Sequence, residues 1–264
     1  MERMGLFRHG PDKRKGMKRL RFKVLKENIK GQETVVEDQD EIRHIRKVLR
    51  LRTGDAVVLF NGEGKEYAAA ISDISPGKIS FKLLSESPTN TTEPPLQIIL
   101  GMGLLKSAKF DWLVQKTTEL GVSEIVPFFS EHAVPQWEGE KASSRKSRWE
   151  KIVAEAAKQC GRLRVPRIHS PCSFAEALHK KFEGAVRIFL WEKEKNGTLR
   201  DALRDPSSSI YALVGPEGGF AEREALKAQQ AGFRPIRLGP RVLRAETAGV
   251  AIVSLLQFIW GDLN

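Results

Sequence analysis

The sequence predicts two domains of different class: a small β-barrel or meander with one helix, then a larger α/β domain on a largely parallel sheet. Three observations predict it. Short strands closed by glycine turns fill the first third, a polar, proline-containing stretch follows at 86–95, and strands alternate with helices from Leu96 onward. A length of 264 residues fits one large domain or two unequal ones. With 41% hydrophobic and 29% charged residues, the chain can bury a core without staples, which excludes a disordered chain or a mini-protein.

In the first third, Glu41 to Leu51 reads as a short helix with Ile42, Ile45, Val48 and Leu49 on one face. Residues 55–60 form a strand, and Asn61-Gly-Glu-Gly64 is a hairpin turn whose glycines accept positive φ. Strands at 66–74 and 79–84 follow, joined through Ser75-Pro-Gly-Lys78. From Leu96 the expected strands are 96–100, 124–129, 185–190, 210–214 and 235–238. The expected helices begin with one capped by Ser107 and stopped by Gly121. A long basic helix runs from about Ser144 to Cys160, and another begins at Ser173 with Glu176 in the capping-box position. The last two lie near 221–231 and 246–260. Trp112, Trp149 and Trp260 occupy helical-face positions suited to packing.

No run of about 18 apolar residues suggests a membrane span, and the first residues lack the apolar stretch of a secretory signal, so none is expected. Cys160 and Cys172 are the only cysteines and make no CxxC, so neither a disulfide framework nor a zinc site is expected. The expected compartment is a reducing cytoplasm. The net charge of +11 is concentrated: residues 1–26 carry +8 and residues 141–167 carry +7, leaving the rest at −4. Two basic segments on a slightly acidic body make nucleic acid the leading partner.

Parallel sheets bind ligands at the carboxyl ends of their strands. Three such ends carry unusual loops. Gly101-Met-Gly-Leu-Leu-Lys106 imitates a dinucleotide fingerprint but lacks its third glycine, and close packing explains its glycines better. Val214-Gly-Pro-Glu-Gly-Gly-Phe220 lets backbone groups approach a ligand closely; a tight strand-to-helix turn explains it equally well. Leu238-Gly-Pro-Arg-Val-Leu-Arg-Ala-Glu-Thr-Ala248 crowds Arg241, Arg244 and Glu246 at the start of an apolar helix. That loop suits an anion, or simply an ion pair between Arg244 and Glu246.

Gly215-Pro-Glu-Gly-Gly219, followed by the 238–248 loop, strongly resembles the RsmE family of 16S rRNA uracil-N3 methyltransferases, of the SPOUT class. Thr118-Glu-Leu-Gly-Val122, Arg148-Trp-Glu-Lys-Ile152, Glu155-Ala-Ala157 and His44-Ile-Arg-Lys-Val-Leu-Arg50 resemble it as well. The likeness runs from about residue 17 to the C-terminus, departing at Ala221, where a capping Ser is expected. Residues 1–16 fall outside it as a basic arm.

The resemblance implies a PUA-like barrel over 17–85, a linker over 86–95, and a trefoil-knotted SPOUT domain over 96–264. It also implies S-adenosyl-L-methionine, a homodimer, and 16S rRNA of the small ribosomal subunit as substrate, with no metal and no membrane. Another RNA target, or a non-catalytic RNA-binding assembly factor, are the rival readings. The implied cofactor residues are Leu190, Glu192, Val214, Gly215, Glu217, Gly219, Leu238, Gly239, Leu243 and Thr247. Glu217 either faces the cofactor's positive end or braces its loop. Uracil N3 is a poor nucleophile until its proton leaves, so catalysis needs positioning and charge handling. Arg244 and Glu246 are the candidates, the first to stabilise a uracil anion, the second to orient Arg244 or accept the proton. Expected RNA contacts are Arg43, His44, Arg46, Lys47 and Arg50 in the barrel, and Arg145, Arg148, Arg162 and Arg164 in and after the basic helix.

Overall fold

A computed structural model of the chain describes residues 20–87, 92–133 and 140–263, so the expected arm at 1–16 lies outside the described residues. The first sheet comprises β1 (Arg21–Lys23), β2 (Glu33–Val36), β3 (Ala56–Phe60), β4 (Glu66–Ser75) and β5 (Lys78–Glu86), in the order β1-β3-β4-β5-β2. β1 runs parallel to β3; the other pairs are antiparallel. The expected hairpin turn forms between β3 and β4, where the Asn61 carboxamide oxygen accepts from the N–H groups of Glu63 and Lys65 at 2.9 and 3.0 Å. Phe22, Val36, Ile45, Leu59, Ile71, Ile79 and Phe81 fill the core.

β1 and β2 were not expected. Each shows only one or two inward-facing residues within a run of charge, too few to give a period of two. The expected helix is present but divided. α1 (Gln39–Arg43) is capped by the Asp38 carboxylate, which accepts from Glu41 N–H at 2.9 Å, and the chain then widens into a π turn over His44–Val48. Arg50 follows with φ +53°, a left-handed residue that ends the element.

The second sheet is wholly parallel. In chain order it holds β6 (Gln97–Gly103), β7 (Glu124–Phe129), β8 (Arg167–Ile168), β9 (Cys172–Ser173), β10 (Val186–Leu190), β11 (Ser209–Val214) and β12 (Arg234–Ile236). The spatial order is β12-β10-β11-β6-β7-β8, with β9 also pairing β7. Its helices are α2 (Ser107–Glu119), α3 (Glu140–Cys160), α4 (Phe174–His179), α5 (Leu199–Ala202), α6 (Glu222–Gln230) and α7 (Ala245–Trp260). Every residue of β11 is buried, as a central parallel strand covered on both faces requires. α2, α3 and α7 pack on one face of the sheet, and α4 and α6 on the other. No helix among the described residues is long and apolar enough to cross a membrane.

Local chemistry departs from expectation at several points. The N-cap of α2 is Lys106 and not Ser107, whose hydroxyl instead meets the Arg145 guanidinium. The capping box at Ser173 and Glu176 forms as expected. Trp149 is buried, its indole N–H donating to Asp111 at 3.1 Å, whereas Trp112 is exposed. Gly101 and Gly103 are packing glycines. A Cβ on Gly101 would lie 2.3 Å from the Leu213 side chain, and one on Gly103 would lie 2.5 Å from the Pro216 nitrogen. They let β11 and the loop after it close onto β6, which removes the dinucleotide reading.

The two sheets are joined firmly. The Arg21 guanidinium donates to the carbonyls of Lys158 and Arg162 and pairs with Glu66 at 2.9 Å. Backbone bonds run from Gly64 N–H to Leu163 O and from Val165 N–H to Gly62 O, and Lys158 pairs with Glu41 at 2.8 Å. Within the expected linker, Glu93 is docked: it accepts from the Arg162 side chain and from the backbone N–H groups of Leu163 and Arg164.

Candidate active site

The loops leaving the carboxyl ends of β10, β11 and β12 enclose a cavity of about 610 Å³, within the range of small-molecule sites. Leu190, Val214, Ile236, Leu238 and Leu243 give it apolar walls; Glu192, Glu217, Arg241 and Arg244 stand around it. All the cofactor positions expected from sequence line this cavity except Thr247, which is exposed on the first turn of α7.

The glycine loop after β11 is held from behind. Its turn closes through Gly219 N–H to Pro216 O at 2.9 Å, with Gly219 at φ +67°. A Cβ there would lie 2.9 Å from a Glu192 carboxylate oxygen, so the position needs glycine for both backbone and space. His132 Nδ1 lies 3.0 Å from Gly218 O. The missing serine at Ala221 is offset by Glu224, which is buried and accepts from Ala221 N–H, Ser130 Oγ and Glu131 N–H at 2.9–3.1 Å. On the facing loop, the N–H groups of Gly197 and Asn196 bond Glu194 and hold its carboxyl below its ordinary value, fixing the segment that carries Glu192.

The charged groups are paired differently from expectation. Glu246 does not meet Arg244. Its Oε1 lies 3.5 Å from Lys109 Nζ, which also lies 3.2 Å from Glu217 Oε1. The reason is local backbone geometry: Arg244 is the extended N-cap of α7 (φ −63°, ψ 148°), so it leaves the helix before Glu246 enters it. Arg244 lines the cavity, is exposed, and makes no ion pair or side-chain hydrogen bond with any described residue. Glu246 does not line the cavity, and its Oε2 is buried without a hydrogen-bond partner among the described residues, as is the indole N–H of Trp191 in the cavity wall. Lys109 escaped sequence reading because it belongs to no motif. Its position three residues past the β6 loop, on the first turn of α2, was the available signal.

The expected RNA-contacting residues separate into three groups. Arg43, Arg46, Lys47 and Arg50 are exposed around the π turn, with His44 half-buried among them. Arg148 is paired with Asp111 at 2.7 Å, Arg145 meets Ser107, and Arg164 is exposed. Arg162 is a correction. It is buried, and its guanidinium is spent on Glu93 and on the carbonyls of Thr118 and Val122, so it cannot reach a phosphate.

Comparison with known proteins points the same way. A family model described as an RNA methyltransferase domain matches residues 92–257, and one described as an RNA methyltransferase PUA domain matches 36–84. Ribosomal RNA small subunit methyltransferase E of Buchnera aphidicola subsp. Acyrthosiphon pisum is 36% identical over 85% of this chain and 88% of its own. The chain belongs to the ribosomal RNA small subunit methyltransferase E family. Its Bacillus subtilis member is 30% identical over 92% of this chain and 96% of its own. The crystal structure of the Neisseria gonorrhoeae member, bound to S-adenosyl methionine, superposes with a TM-score of 0.84 at 34% identity, covering 93% of this chain and 100% of that one. The PUA match takes in β3 and β4 and most of β5 of the first sheet, the methyltransferase match takes in the whole second sheet, and the cavity lies within the latter.

Proposed function

We propose that this chain transfers a methyl group from S-adenosyl-L-methionine to N3 of a uridine in 16S rRNA of the small ribosomal subunit, working in the cytoplasm as a homodimer. The observation that carries the reading is the glycine-lined cavity with an arginine beside it that has no ion-pair partner among the described residues, in a chain of this family. The cavity fits the cofactor: Gly215, Gly218 and Gly219 turn bare backbone to it, and Trp191, whose indole N–H has no hydrogen-bond partner among the described residues, belongs to its wall. Leu190, Val214, Leu238 and Leu243 would take its apolar surfaces, and the backbone of 215–219 and of Gly239 its polar edges. When bound, S-adenosyl-L-methionine supplies an electrophilic methyl group on a sulfonium.

The chain's own residues then position and balance charge. Arg244, free and at the cavity, faces the negative charge that develops on the base as N3 loses its proton. Glu246, held by Lys109 away from the cavity, acts on the site's frame and not on the base. Arg43, Arg46, Lys47, Arg50, Arg145, Arg148 and Arg164 are offered to RNA phosphates, which gives affinity more than sequence readout.

This reading divides the chain into a PUA-like part at 17–85, a linker at 86–95 and the catalytic part at 96–264. It includes a trefoil knot. In its support, β12 lies at the sheet edge while α7 packs back over β6, β11 and α2 at the centre. Leu255, Phe258 and Ile259 of α7, all exposed, supply an apolar face for a second copy.

The test is transfer of labelled methyl from S-adenosyl-L-methionine to small subunits from an unmodified strain, followed by nucleoside mass analysis. The expected product is 3-methyluridine, and Gly219→Val removes both cofactor binding and product. A different methylated nucleoside, or normal cofactor binding by Gly219→Val, would overturn the reading.

A further inference from the structure

Three parts of the chain that are distant in sequence meet at one mouth of the cavity: the tip of the glycine loop, the first turn of α7 and the first turn of α2. Glu217 marks the first, Glu246 the second and Lys109 the third. Both carboxylates present an oxygen within 3.5 Å of the single Lys109 nitrogen. Among the described residues, neither carboxylate has another ion-pair partner.

Behind the loop, Pro216 lies against Gly103 and Gly218 against His132, while Gly219 faces the Glu192 carboxylate. Among the described residues, the ion-pair link from the loop to α7 runs through Lys109. Without its cation the two carboxylates would repel across the gap. Glu246, 13% exposed and with one oxygen already buried and partnerless, would be left an uncompensated charge. The α7 N-terminus favours that carboxylate, but cannot hold it to the loop.

We propose that Lys109 is a positioning residue for the cofactor pocket, a latch whose ammonium fixes the glycine loop to α7 and so sets the width of the mouth. This rests on the cofactor reading above. Lys109 lines the cavity, but both of its ion pairs among the described residues go to the two carboxylates, so the latch acts on how tightly the cofactor is held and not on the transfer step. Arg244 keeps its free guanidinium whether or not the latch is closed.

The experiment is calorimetric titration of the full-length protein with S-adenosyl-L-methionine, with kcat and KM measured on small subunits. Lys109→Met, which keeps length and removes charge, should raise the cofactor Kd about fivefold to tenfold. Its kcat at saturating cofactor should stay within about twofold of wild type, and Lys109→Arg should restore the Kd. Glu217→Gln, an independent break of one arm, should also weaken binding, and the double variant should be no weaker than Lys109→Met alone. Unchanged binding by a folded Lys109→Met, additive effects in the double variant, or a loss confined to kcat would overturn the latch. If Lys109→Met does not fold, normal binding by Glu217→Gln overturns it. A wild-type protein that binds no cofactor would sink the cofactor reading and the latch together, whereas binding by wild type beside an unaffected variant would sink the latch alone.

Discussion

Arg162 and Arg244 are the same residue type in two opposite settings. Arg162 is buried at the joint between the two sheets. Its guanidinium bonds the Glu93 carboxylate and two carbonyls, and the other Glu93 oxygen bonds the backbone of the next two residues. Arg244 is exposed beside the cavity and bonds no described side chain. A buried arginine must find all its partners within the protein, because desolvation is repaid only by complete pairing. An arginine held at a pocket with its donors unspent is available to something the protein binds. In sequence both stand in basic company, which is why charge alone assigned Arg162 to RNA.

The contrast can be broken most forcefully at the joint. Arg162→Ala should destabilise the protein by about 3–5 kcal/mol, since it leaves a mostly buried Glu93 without its cation. A urea titration followed by circular dichroism measures this. Salt-dependent RNA binding of the remaining folded fraction should match wild type. A loss of stability below about 1 kcal/mol with weakened RNA binding would return Arg162 to the RNA surface.

The reverse result is expected at the cavity. Arg244→Ala should leave the unfolding midpoint nearly unchanged, within about 0.5 kcal/mol, because it breaks no ion pair or side-chain hydrogen bond among the described residues. Methyl transfer at saturating cofactor should fall about a hundredfold, the scale of removing one donor aimed at developing charge. An unchanged kcat would remove Arg244 from catalysis.

How much of this was legible depended on the range of the signal. Strands β6, β7, β10 and β11 announce themselves as short apolar runs between turns, and the Ser173 capping box is a four-residue pattern. Each signal is local. The cavity was also legible, because the glycine loops that form it follow strand ends directly. β1 and β2 were hidden because each buries only one or two side chains. The pairing of Glu246 with Lys109 spans 137 positions in sequence and depends on how α2 meets α7, which no local pattern records. Glu93 was read as linker for the same reason: proline and polar neighbours mark the segment as irregular, but its partner lies about 70 positions away. Chain length between partners, more than chemistry, set the limit.

Arg148 falls between the two extremes and gives the finest test. Its guanidinium pairs with Asp111 at 2.7 Å but remains 61% exposed, and Asp111 keeps a second bond from the Trp149 indole. Removing Arg148 therefore does not orphan its partner as removing Arg162 would. Arg148→Ala should cost no more than about 0.5 kcal/mol of stability, as exposed pairs generally do. Whether the residue also serves RNA is then visible in the salt dependence of binding, where losing one phosphate contact lowers the slope of log K against log salt by about one. A lowered slope with unchanged stability would place Arg148 with the exposed π-turn cations. An unchanged slope would mean that pairing with Asp111, even at a well-exposed site, is enough to withdraw an arginine from the RNA-facing surface.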